Sequence, residues 1–86
     1  MPRICYFLGI SIYMYWGDHV PPHIHAIYND YGALVSLETG EAFRGKLPKK
    51  VAQLVKEWIE LHREELYEDW RLAQAERELR HIEPLE

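Results

Sequence analysis

Eight consecutive residues, Asp18–His25 (D-H-V-P-P-H-I-H), gather three of the chain's five histidines and one carboxylate around a double proline. Imidazole changes charge near neutral pH and offers a lone pair to a proton or a metal ion. A neighbouring carboxylate fixes the tautomer, raises the imidazole pKa or completes a metal shell. His23 and His25 stand two apart at the head of a predicted strand. Alternation therefore puts both rings on one face, about 6–7 Å apart along the chain at roughly 3.3 Å per residue. Pro21 and Pro22 lock their φ angles and restrict where the loop carrying Asp18 and His19 can travel.

Three readings of this cluster stand side by side. Asp18, His23 and His25 form a donor set for a divalent metal ion. Asp18, His19, His23 and His25 equally suit metal-free general acid–base catalysis. The plain alternative is a pair of polar histidines on a half-exposed strand, with Asp18 stabilising the turn after Gly17. His62, on an apolar helical stripe with Glu65 one turn later, would join a metal site only if its helix packed over the histidine strand. His81 reads as a surface residue.

A second unusual stretch is R-G-K-L-P-K-K, Arg44–Lys50, with four cations and no acid. Helix N-termini favour Asp or Glu, yet Lys49 and Lys50 occupy the first turn, and no capping side chain precedes Pro48. Free backbone N–H groups with Arg44, Lys46, Lys49 and Lys50 make a candidate anion site, phosphate above all. Solubility alone would also explain lysines at an exposed helix start.

The elements that position these groups follow from period and punctuation. Ile4–Leu8 and Ile10–Trp16 are aromatic and β-branched runs separated by Gly9, which marks a bulge or bend. Gly17–Pro22 is a loop, His23–Tyr28 a strand, Asn29–Gly32 a turn, Ala33–Leu37 a strand, and Glu41–Lys46 a last strand after the Thr39-Gly40 turn. Pro48 marks the first helical position. Val51, Leu54, Val55, Trp58, Leu61, His62, Leu66, Trp70 and Ala73 then recur at helical spacing. One continuous helix of about 29 residues would run about 43 Å; two helices kinked near His62 fit the same stripe. Leu79–Leu85 reads as a short extended tail stopped by Pro84. The expected fold is α+β: a mostly antiparallel sheet of four or five strands against a long or kinked C-terminal helix.

Composition sets the class. Eighty-six residues suit one domain, residues 1–86, and 48% hydrophobic with 13% aromatic content argues against disorder. The net charge of −4 argues against a general nucleic-acid coat. A single cysteine, Cys5, excludes an internal disulfide and points to a reduced, cytoplasmic setting. The apolar run Ile4–Trp16 is too short to span a bilayer, so no membrane role is expected. Edge strands and aromatic surface make a homodimer plausible.

Five motifs together resemble the domain-of-unknown-function family 4160 (DUF4160). They are Gly9–Tyr15 (G-I-x-I-x-M-Y), Asp18–His25 (D-H-x-P-P-H-x-H), Gly45–Lys50 (G-x-L-P-K-K), Trp58–Leu66 (W-x-x-x-H-x-E-E-L) followed by Trp70, and Ile82–Leu85 (I-x-P-L). The resemblance covers nearly the whole chain. It implies a small prokaryotic protein encoded beside a second small protein, in a toxin–antitoxin-like pair. Three functions follow as expectations. The first is an enzyme whose His/Asp site acts on a phosphoester of nucleic acid, with Arg44, Lys46, Lys49 and Lys50 holding the phosphate. The second is a non-enzymatic binding or regulatory module using the acidic helix face. The third is a weak DNA-binding autoregulator.

Overall fold

A computed structural model describes residues 3–85; Met1, Pro2 and Glu86, the ends of the expected domain, lie outside the described residues. The first half is an antiparallel meander of β1 (Arg3–Phe7), β2 (Ile10–Tyr13), β3 (His23–Tyr28), β4 (Tyr31–Ser36) and β5 (Ala42–Lys46), in that spatial order. Two helices follow, α1 (Lys49–Leu61) and α2 (Arg63–Gln74).

Several expected boundaries move. Gly9 marks the bend and not a bulge: Leu8 and Gly9, at φ 52° and 81°, form the tight turn between β1 and β2. β2 stops at Tyr13 rather than Trp16, and the Trp16 indole instead donates to the Arg77 carbonyl at 3.0 Å. β4 begins at Tyr31, because Asn29 takes the left-handed conformation (φ 50°) that its short polar side chain tolerates. Pro48 stands just outside α1 as its N-cap, with no side-chain cap and no acid in the first turn.

Two-residue alternation sorts the sheet into two faces. Ile10, Ile12, Met14, Ile24, Ala26, Ala33 and Val35 are buried together with Val51, Val55, Trp58 and Ile59 of α1 and Leu66, Trp70 and Ala73 of α2. Full burial of each large apolar side chain contributes about 1.5–3 kcal/mol, and most of this domain's stability comes from that layer. The opposite face carries Tyr6, Ser11, Tyr13, His25, Ile27, Leu34 and Arg44, all partly or fully exposed.

The helical stripe folds as two pieces. His62 leaves helical geometry (φ −120°, ψ 25°), while its amide still bonds the carbonyls of Trp58 and Ile59. A straight helix of about 43 Å would overrun a domain whose longest extent is 33 Å. Glu64 and Glu65 in its first turn and Arg71 in its last suit the dipole of α2. The tail contains no strand, but the Ile82 amide donates to Ile4 at 3.0 Å, covering part of the β1 edge, and the Trp58 indole donates to Glu83 at 2.7 Å.

Candidate metal centre

The loop between β2 and β3 is held at both ends. Gly17 takes φ 66°, and its amide donates to the Ala73 carbonyl at 3.3 Å. The Gln74 side-chain amide donates to the Asp18 carbonyl at 3.1 Å. Beyond the cis Val20–Pro21 bond, the Pro22 carbonyl accepts from Leu37 at 3.0 Å. The last turn of α2 and the end of β4 thus set where Asp18 points.

It points at both histidines of β3. Asp18 Oδ2 lies 3.0 Å from His23 Nε2 and 2.9 Å from His25 Nε2, and the three donor atoms all fall within 4.8 Å of one another. Asp18 Oδ1 accepts from the His19 amide at 2.9 Å. Burial tends to raise the Asp18 pKa, but the His25 hydrogen bond, the His19 amide and the charges of His23 and His25 outweigh it. The carboxyl ends below its ordinary value and stays ionised.

His23 has its tautomer decided by its other nitrogen. Nδ1 sits 2.7 Å from the Pro21 carbonyl, which can only accept, so Nδ1 carries a proton. A neutral His23 then aims the Nε2 lone pair at a carboxylate oxygen, an approach that needs a cation between them. The other solution is an imidazolium with a proton on each nitrogen. Metal-ligating histidines have the first arrangement: one N–H anchored on a backbone carbonyl, the other nitrogen free for the ion.

The walls are aromatic. His23, only 3% exposed, packs against Trp70 of α2 (centroids 5.4 Å) and edge-on to Phe43 (5.6 Å). His25 meets the edge of Tyr15 at 4.5 Å. Phe43 reaches this side of the sheet because β5 is bulged: Leu34 pairs with Arg44 but Val35 pairs with Ala42, leaving Phe43 over. Gly45 permits that path, since its φ is +81° and a Cβ there would meet the Gly32 carbonyl oxygen at 2.2 Å.

The structure therefore brings Asp18, His23 and His25 together. His19 contributes its backbone amide to Asp18 and keeps an exposed side chain outside the donor set. His62 is not at the cluster; its Nδ1 pairs with Glu65 at 2.7 Å at the start of α2. His81 is exposed. The basic stretch is divided. Arg44 lines a depression of about 270 Å³ with His25, Ile27 and Leu34, whereas Lys49 lines a different one with Glu41 and Lys56. Lys46 lies on exposed β5 and Lys50 at the exposed start of α1. The larger cavity of about 540 Å³, between Trp16 and the tail residues Leu79–His81, lacks the Asp18–His23–His25 donors. Sequence reasoning did not assign Tyr15, Phe43, Trp70 or Gln74 to the site. Alternation did place Tyr15 and the histidines on single faces of their own strands, but strand register was needed to join them.

No curated protein and no solved structure matches the chain. A family described as Domain of unknown function (DUF4160) matches residues 9–71, which include Asp18, His23, His25, Phe43, Arg44 and Trp70. With that match spanning well over half of its 86 residues, the chain belongs to the DUF4160 family.

Proposed function

We propose that Asp18, His23 and His25 hold a divalent metal ion and that this centre hydrolyses a phosphoester. The observation that carries the reading is the pair of bonds at His23: the Pro21 carbonyl accepts from Nδ1–H at 2.7 Å while Nε2 faces Asp18 at 3.0 Å. Metal–nitrogen and metal–oxygen bonds of about 2.1 Å put adjacent ligands about 3.0 Å apart in octahedral and about 3.4 Å apart in tetrahedral geometry. The separations of 3.0 and 2.9 Å around Asp18 Oδ2 match that octahedral spacing and equally the length of charge-assisted hydrogen bonds, and all three donor atoms lie within 4.8 Å of one another.

Three protein ligands leave coordination positions open, as catalytic metal sites require. An ion bound there supplies a Lewis acid and lowers the pKa of water. The chain's own residues supply the rest. Arg44, in the same depression as His25, holds non-bridging phosphate oxygens as charge develops. The water oxygen forms the new bond to phosphorus as the bond to the leaving oxygen breaks, and exposed His19 passes the proton released by the water to that leaving oxygen. Trp70 and Phe43 keep water from His23. In a toxin–antitoxin-like pair, such a centre would make this chain the reactive member.

The test is metal analysis of untagged protein together with hydrolysis of a chromogenic phosphodiester. About one ion per wild-type chain, lost with the activity in folded His23→Ala and His25→Ala, is the expected result. Wild-type protein that takes up no divalent ion, or histidine variants that keep full activity, would end the proposal.

A further inference from the structure

The five strands contain three cations, Arg3, Arg44 and Lys46, and no aspartate or glutamate, in a chain whose net charge is −4. All three cations lie away from the helices. Arg3 is opposite Tyr13, His25 is opposite both Tyr13 and Leu34, and Leu34 is opposite Arg44, so one row crosses the sheet from cation to cation. Lys46 closes the neighbouring row beside Gly32 and Ile27. Of the carboxylates in this half of the chain, Asp30, Glu38 and Glu41 stand outside the strands, while Asp18, on the β2–β3 loop, brings one carboxylate onto the face against His25 at 2.9 Å.

Between the cations runs a file of rings. Tyr13 stacks on Tyr15 (6.2 Å, 11° between planes), Tyr15 meets His25 at 4.5 Å, and buried His23 lies beneath, joining His25 (5.2 Å) to Phe43 (5.6 Å), so that Tyr13, Tyr15, His25 and Phe43 are the rings a ligand reaches. Phe43 is 48% and Ile27 41% exposed, although each is apolar. A sheet face with rings in its middle and only positive charge in its strands is poorly suited to water alone. It suits a polyanion whose uncharged parts are flat. Bases stack on aromatic rings with little sequence preference, and backbone phosphates pair with arginine and lysine.

We propose that this uncovered sheet face binds single-stranded nucleic acid, laid across β1–β5 so that its backbone passes the Asp18–His23–His25 centre. Paired bases hide their faces within a duplex, so the ring file selects an unpaired strand. The fate of the strand rests on the phosphoester reading above; its binding does not.

The test uses the full chain in EDTA and a short fluorescein-labelled single-stranded RNA, with the matching duplex as competitor, read by fluorescence anisotropy. Three phosphate contacts give a log–log salt slope of about −2, so affinity should fall about 18-fold between about 50 and 200 mM salt. Neutralising two exposed cations in Arg44→Gln/Lys46→Gln should cut that loss to about threefold and weaken binding at low salt. Glu57→Lys on α1, away from this face, should leave the salt slope unchanged.

Binding that prefers the duplex, or a slope unaltered by the double variant, overturns the proposal. So does a wild-type dimer that the double variant dissociates and that binds no RNA, because the face would then hold a second copy. Metal uptake, measured on the same proteins after EDTA is removed, separates the two readings. RNA binding without metal uptake leaves this face standing and removes the centre, and metal uptake without RNA binding does the reverse.

Discussion

Replacing Asp18 with alanine tests the geometry from which the rest was built. In wild type one carboxylate oxygen serves two imidazoles, at 3.0 and 2.9 Å. Hydrogen bonds to charged groups contribute about 1.5–3 kcal/mol each. The His23 bond is largely sheltered, with that ring's side chain only 4% exposed, but Asp18 and His25 are 22% and 26% exposed and water competes for the second bond. Discounting it gives a loss of about 2–3 kcal/mol for the metal-free protein. At about 4–8 °C per kcal/mol for a domain of this size, Tm should fall by roughly 8–24 °C in EDTA. If the centre binds an ion as proposed, adding that ion at about 100 times its Kd should stabilise wild type by about 2.7 kcal/mol, a rise of roughly 11–22 °C. Asp18→Ala, with two ligands left, should gain little. Differential scanning calorimetry with EDTA and then with zinc or manganese reads both effects. A variant that melts with wild type in EDTA refutes the shared hydrogen bonds. Equal metal-induced shifts in the two proteins refute the ligand role of Asp18.

Other perturbations reach further from the centre. Gln74→Ala removes the bond to the Asp18 carbonyl and should weaken metal affinity about 10–100-fold, as measured by competition with a chelating dye, while Tm changes little. Gly45→Ala puts a Cβ against the Gly32 carbonyl at a φ of +81°. It should cost more than about 3 kcal/mol in chemical denaturation, or free β5 to exchange amide hydrogens, and a wild-type profile would contradict the bulge. Asp69 is 1% exposed; Oδ1 accepts from the Arg80 amide and Oδ2 has no partner among the described residues. Burial raises its pKa; the Arg80 amide and charge oppose this, while Glu65 and Glu68 reinforce it. The folded state therefore holds this proton more tightly than the unfolded one. Its stabilising contribution is full below the ordinary value of 3.8 and is lost as pH rises through the higher folded value. Asp69→Asn should accordingly raise Tm at neutral pH and reduce the decline from acid to neutral pH. His81, beside the same small cavity, must be replaced in parallel as a control.

Much of the architecture was legible because it depends on near neighbours. Alternation in Ile10–Met14 and His23–Tyr28 follows from the pleat of each strand, and the three- and four-residue spacing from Val51 to Ala73 follows from the helical turn. The cluster was legible for the same reason: two residues of separation suffice to put His23 and His25 on one side. The break at His62 was one of two readings of the stripe, and no glycine or proline marks it. The breadth of the core beneath decides that the helix cannot continue straight.

The chain by itself determined that a carboxylate and three imidazoles crowd one loop and strand and that two of the imidazoles share a strand face, because torsion limits and periodicity act over a few residues. Tertiary structure alone decided that Asp18 bridges the two rings, that Trp70 and Phe43 enclose His23, and that Gln74 secures the loop. It also separated Arg44 from Lys49, which five positions in sequence would have kept together. Those contacts depend on strand register, on the bulge in β5 and on where α2 crosses the end of the sheet. All three are set by how the whole core closes, a sum over many distant residues that no local pattern contains.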